Sequence, residues 1–273
     1  MKNNQIQKAG IFAFLFFLMI PVDSICQPGN DGFETVRIYE IQEARQGIAV
    51  DSAFFYAINT KGIGKYSKKN GELVAEWKDD SGQIIHFDGG VMVNDKLYCA
   101  HSNYPEIPMT SSIEIFDTEN LKHLGSHSFG IKYGSCTWAD YYNNYWWVCF
   151  AHYDKFEPQT NKNNRWTVLV KFDRNWNELE SWTFPPSVLQ EFKPMSCSGG
   201  SWGPDGYLYV TGHDGAKVYV LQLPQMGSIL SLKNILKISS KGQGIAWDRH
   251  EKNILYGIIK KNNLVIKSRL SVF

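Results

Sequence analysis

The chain has 273 residues, with 28 Lys and Arg against 27 Asp and Glu and 43% hydrophobic residues. This near balance, with no basic stripe and no polybasic segment, excludes an electrostatic grip on nucleic acid or on an anionic membrane surface. The composition and length suit one large domain rather than two.

Residues 1–26 form the first element. Lys2 and Lys8 precede the apolar run 9–20, and Ser24 and Cys26 precede Gln27. That is the tripartite pattern of a secretory signal peptide cleaved after Cys26, and it predicts a secreted or periplasmic protein. The apolar run is too short for a bilayer anchor, so no membrane insertion is expected. Acylation of Cys26 as a lipoprotein is the weaker alternative, because Ile25 is bulky where such signals carry a small residue. Residues 27–273 then form the single mature domain, read as a monomer.

Beyond the leader, short runs rich in Tyr, Trp, Val, Ile and Phe alternate with Gly, Asn, Asp and Pro. The pattern predicts many short antiparallel strands and almost no helix. Hairpin turns are legible at Asn94-Asp95, at Pro204-Asp205-Gly206 and around residues 249–253. Residues 46–51 read Gln-Gly-Ile-Ala-Val-Asp and residues 243–248 read Gln-Gly-Ile-Ala-Trp-Asp, a repeat that points to a ring of similar blades. Five comparable units follow, over roughly 46–77, 86–129, 134–184, 196–236 and 242–273. The fifth lacks an outer strand, and the strand at 34–41 belongs to no unit. An all-β, five-bladed β-propeller is therefore predicted, with the N-terminal strand completing the last blade and closing the ring.

In a propeller, inner strands begin, and second strands end, around one mouth of the central channel. Strand starts there carry Gln46, His86 with Asp88, Ser135, Ser198 and Gln243, and strand ends carry His101 with Asn103, His152, His213 with Asp214, and Lys260. Histidine serves as general acid, general base or metal ligand. His86, His101, His152 and His213, supported by Asp88, are the candidate catalytic residues. A histidine at a strand end is also a common structural residue, and His101 lies three residues after Tyr98 whereas His213 lies four after Tyr209, a mismatch of the kind that turns a side chain to the other face. The cofactor is left open, and the histidine cluster is a candidate for a divalent metal, although the spacing carries no ligand signature.

Gln46, Asn103, Asp214 and Gln243 are expected to bind substrate. Two longer loops leave the same mouth, 103–112 and 153–166, and bring Tyr104, Arg165 and Trp166 as candidates for stacking or for clamping a carboxylate. Trp138 and Trp202, beside strand starts, are candidate platforms, while the other tryptophans read as packing between blades. Asp51 and Asp248 read as hairpin turn residues. Cys99 and Cys149 lie in apolar runs, where a reduced cysteine acts as a small hydrophobe.

The phrases His-Phe-Asp-Gly-Gly, Gly-Gly-Ser-Trp-Gly-Pro-Asp-Gly, Gly-Gln-Gly-Ile-Ala-Trp-Asp and the segment Ala-His-Ser-Asn-Tyr-Pro-Glu-Ile-Pro-Met-Thr-Ser-Ser-Ile-Glu-Ile-Phe-Asp resemble those of exported bacterial propellers. Such proteins are loosely named cycloisomerases, after lactonising propeller enzymes. The blade phrases are also broadly similar to lactonase and glutaminyl-cyclase propellers, but the acidic calcium ligands expected of the lactonases are not evident here. Two functions follow as expectations. One is an enzyme, a hydrolase, lyase or isomerase, using the histidine-rich funnel on a small carbohydrate, uronate or lactone. The other is a non-catalytic propeller that binds a glycan or a protein.

Overall fold

The computed structural model describes residues 32–271. The leader and Cys26 lie outside the described residues. Twenty strands form five four-stranded antiparallel sheets, a five-bladed β-propeller. The N-terminal strand β1 (Phe33–Glu40) runs first. Blade one holds β2 (Gly47–Val50), β3 (Phe54–Asn59), β4 (Gly62–Ser67) and β5 (Leu73–Lys78). Blade two holds β6 (His86–Val93), β7 (Lys96–Ser102), β8 (Ser111–Asp117) and β9 (His123–Gly130). Blade three holds β10 (Ser135–Tyr142), β11 (Tyr145–Ala151), β12 (Val168–Phe172) and β13 (Glu178–Thr183). Blade four holds β14 (Gly199–Trp202), β15 (Leu208–Thr211), β16 (Lys217–Gln222) and β17 (Ser231–Lys237). Blade five holds β18 (Ala246–Trp247), β19 (Ile254–Ile259) and β20 (Leu264–Leu270), and β1 pairs antiparallel with β20 as its outermost strand.

The expected fold and closure are both present. The predicted turns are present too: Asn94 and Asp95 both take positive φ, as a two-residue type I′ hairpin requires, and Gly206 does so at the third residue of its turn. Asp51 accepts the backbone N–H groups of Ala53 and Phe54, and Asp248 those of His250 and Glu251, which are turn roles. One element was not foreseen. Helix α1 (Glu157–Thr160) is a single turn in a loop, but α2 (Pro186–Phe192) buries Val188, Leu189 and Phe192 between blades three and four. Its three apolar residues are too few to register as a period, although Pro186 at its first position suits a helix start.

Burial falls outward along each blade. The inner strands β2 and β14 are buried throughout, whereas the outer strands β5 and β9 alternate or face solvent. Aromatic side chains fill the wedges between sheets: Phe55 stacks on Tyr66, and Trp147 packs on Trp182 and Trp202. All four described cysteines are buried and free. Among the described residues no helix is long and apolar enough to cross a membrane.

The inner strands approach one another at glycines. The Gly244 N–H donates to the carbonyl of Gln46 at 2.9 Å, so the two copies of the repeated phrase touch where blade five meets blade one. A Cβ on Gly244 would stand 2.6 Å from the Gly47 Cα and 3.2 Å from the Gln46 carbonyl oxygen. Lys68 of blade one adds a buried ion pair to Asp248 of blade five. At the far mouth, Arg249 reaches from blade five to Asp140 of blade three at 2.8 Å and donates to the Trp202 carbonyl. Gly244→Ala is expected to destabilise the fold by about 1–3 kcal/mol through overpacking. Gly215→Ala, where a Cβ meets nothing within 4 Å, should change stability by less than about 0.5 kcal/mol. Urea unfolding of the two variants checks the contrast.

Candidate functional site

Gln46, His86, Asp88, Tyr104, His213 and Gln243 converge at one channel mouth, around a cavity of about 100 Å³, together with Thr137, Tyr153, Met195, Ser198 and Lys260. Every blade contributes. The void is small, so it takes a small molecule or the end of a larger one.

Two bulges shape its floor. Between Phe87 and Gly90 the register of β6 against β7 gains one residue, and between Cys136 and Trp138 that of β10 against β11 gains another. The extra residue breaks the strict alternation of faces, and it is in these stretches that Asp88 and Thr137 meet the channel. Thr137 Oγ1 donates to the Cys197 carbonyl at 2.8 Å, which ties blade three to the segment before blade four.

Asp88 is the site's least ordinary group. It is 7% exposed, yet its carboxylate accepts no hydrogen bond from any described residue, and the nearest ionisable nitrogen is His86 Nε2 at 3.6 Å from Oδ1. Neither oxygen is among the fully enclosed unpartnered atoms, so the carboxylate opens onto the funnel and is available to a ligand.

The walls are better satisfied. His213 Nδ1 lies 2.7 Å from Asp214 Oδ2, so with the proton on Nδ1 the imidazole presents a free Nε2. Gln46 donates through Nε2 to Thr60 Oγ1, and Gln243 through Nε2 to the His213 carbonyl. Neither amide oxygen accepts a hydrogen bond from a described residue, so both stay open as acceptors. Gln243 holds a left-handed backbone, φ 62°, directly after Gly242, where a Cβ would collide with the His213 backbone. This tight crossing fixes Gln243 against His213. The Tyr104 ring lies 5.0 Å from that of His86, while its hydroxyl accepts from Lys155 at 2.6 Å. Burial pushes the Tyr153 phenol upward, and the nearby Asp88 charge adds to this, so it stays protonated. Burial pushes the Lys260 ammonium below the usual lysine range, and Asp88 and Asp214 oppose that shift.

The other expected site residues lie elsewhere. His101 faces the groove between blades one and two, where Nδ1 meets Ser112 Oγ at 2.9 Å and Nε2 accepts the Ile85 N–H at 3.1 Å, beside Glu114 and His123 in a separate cavity of about 390 Å³. His152 holds the Tyr133 carbonyl through Nε2 at 2.8 Å and lines another cavity, of about 410 Å³, with Met109 and Lys162. These side cavities are larger than the funnel, but neither gathers groups from all five blades. The offset has a simple cause. Tyr104, Tyr153 and His213 each stand two residues past the end of a second strand, after Ser102, Ala151 and Thr211. His101 stands one residue before its strand end and His152 one after, and each odd step turns the side chain away.

Asn103 clamps its own loop, donating to the Pro108 carbonyl and accepting the Thr110 N–H. Arg165 and Trp166 are exposed on the loop after α1 and do not line the funnel. Trp138 is 1% exposed, with Nε1 on Cys197 Sγ, and Trp202 stacks on Tyr142 at the far end of β14, so both are packing residues and not platforms. Sequence reasoning gave no role to Tyr153, Thr137 or Met195, and it noted Ser198 only as a strand start and Lys260 only as a strand end. Counting two residues past each second strand would have found Tyr153. Among the described residues no three His, Cys, Asp or Glu side chains gather to hold a metal ion. The expected histidine cluster does not form a metal site, because two of its four members face other cavities.

No family model and no curated protein matches the sequence. Solved structures match in fold. An aldose sugar dehydrogenase from Streptomyces coelicolor, solved in its PQQ-bound form, is 8% identical over 89% of this chain and 99% of its own, with a TM-score of 0.56. A luciferin-regenerating enzyme is 11% identical over 87% and 95%, with a TM-score of 0.50. Hydrazine synthase from Kuenenia stuttgartiensis is 11% identical over 83% and 84%, also at 0.50. At these identities the likeness is one of fold.

Burial also sets how stability responds to pH. His101, His127 and His152 are all held below the usual histidine range by desolvation. The unfolded chain then binds more protons than the folded one in the interval below about pH 6.5. Stability should be full above that value and fall as pH drops through it. Urea midpoints measured between about pH 8 and pH 5.5 should show this decline, with a shallower slope in His101→Asn.

Proposed function

We propose that the protein is an exported acid–base enzyme that acts on a small carbohydrate, uronate or lactone in the channel-mouth funnel, as a hydrolase, lyase or isomerase. The observation that carries this reading is the Asp88 carboxylate, nearly buried, without a hydrogen-bond donor, and lining a cavity shared with His86, His213 and Lys260. Export rests on the pattern of residues 1–26.

In this reading Asp88 of blade two accepts a proton from a substrate hydroxyl or from a carbon acid beside a carbonyl. His86, 3.6 Å away, steadies the carboxylate. His213 of blade four, oriented by Asp214, exchanges a proton through Nε2 on the other side of the void. Tyr104 flanks the entrance and offers a face for a sugar ring. The open amide oxygens of Gln46 and Gln243 accept hydroxyl protons. That propellers of this fold include enzymes, one of them named for aldose sugars, supports the reading at the level of the scaffold.

Turnover of a panel of neutral sugars, uronates and sugar lactones by wild type, Asp88→Asn and His213→Gln is the test. The two variants should fold normally and lose about 100-fold or more in rate on any compound the wild type converts. Wild-type rates in Asp88→Asn would refute the assignment. Binding without conversion by the wild type would favour a non-catalytic propeller.

A further inference from the structure

We infer that Lys260 is the specificity-determining residue of the funnel, and that the ligand end it selects is a carboxylate carried on a hydroxylated body, a sugar acid rather than a neutral sugar or a lactone. This rests on the reading of the funnel as a carbohydrate-directed site and narrows its substrate class.

The polar groups at the floor divide by what they can recognise. Asp88 and the amide oxygens of Gln46 and Gln243 are open acceptors, which suit hydroxyl groups. Lys260 is the only lysine or arginine among the residues that line the void, and it contributes three donors and a full charge. It is half-buried, extends from the short turn Lys260–Asn262 after β19, and makes no ion pair or side-chain hydrogen bond among the described residues. Although Asp88 lies near enough to be felt electrostatically, the two do not pair, and Asp214 is already held by His213. A half-desolvated ammonium without a partner is poorly matched by neutral hydroxyls and well matched by a carboxylate.

A purely anionic ligand would be repelled by Asp88, and a purely neutral one would leave Lys260 unpaired. A molecule with one carboxylate and several hydroxyls meets both conditions. The void is small, so the carboxylate end enters it and the rest of the ring extends past Tyr104 toward solvent. Arg45, exposed nearby and bonded to Asn263, adds positive potential on the same side.

The test is calorimetric binding of galacturonate and glucuronate against galactose, glucose and gluconolactone, to wild type, Lys260→Met, Lys260→Gln and Lys260→Arg. Wild type should bind a uronate about tenfold more tightly than the matching neutral sugar, the value of one charge-assisted contact. Lys260→Met and Lys260→Gln should bring that ratio close to one with little change in neutral-sugar affinity, and Lys260→Arg should keep most of the preference. Melting curves identify any variant that fails to fold, and the two uncharged replacements give independent readings. A wild-type ratio near one, a ratio unchanged in a folded uncharged variant, or no binding of any of the five compounds overturns the inference. Binding with the uronate preference but without conversion would sink the enzymatic reading and leave this one standing. Conversion of neutral sugars with equal affinities would do the reverse.

Discussion

The close approach of the inner strands is the constraint on which the rest of this structure depends. Five sheets meet around one axis, and they come near enough only where a side chain is missing, as at Gly47 and Gly244, whose backbones leave no room for a Cβ. One hydrogen bond between blades, from Gly244 to Gln46, marks that contact. The narrow axis keeps the void at the mouth small and brings groups from every blade into one shell. In a rigid ring, short polar side chains at strand ends converge without needing a long mobile loop.

Within that shell the energetics are uneven. The glutamines, Thr137 and His213 are anchored by neighbours in the fold, so their free atoms are held in place. Asp88 and Lys260 are set apart by lacking such anchors. They face the same space without pairing. Packing gains nothing from that arrangement. A ligand that bears both an acceptor and donors gains from both.

The architecture was legible because it is written in local chemistry: turn residues every few positions, apolar runs between them, and a repeated phrase that places its two copies side by side. The unpaired strand at one end and the missing strand at the other could be matched by counting. The site was only half legible. Gln46, His86, Asp88, Tyr104, His213 and Gln243 reach the funnel as expected, whereas His101, His152, Trp138 and Trp202 do not. Residue type identified the histidines, but side-chain direction depends on a register of one residue, and here bulges and strand ends decide it. Asn103 shows a different limit, since a polar residue in the right place is consumed by its own loop. Position did separate Asp88, at a strand start and with its carboxylate open to the funnel, from Asp51, in a hairpin, whose carboxylate is spent on a turn and on Tyr56.

The central claim is that the channel-mouth funnel, and neither side cavity, is where this protein holds its ligand. A crystal structure of the protein soaked with galacturonate tests it most directly. The account predicts a sugar acid at the mouth, with its carboxylate on Lys260 and its hydroxyls on Asp88 and the two glutamines. A ligand seated instead in the cavity beside His152 or in the one beside His101, with the funnel holding only water, would contradict it.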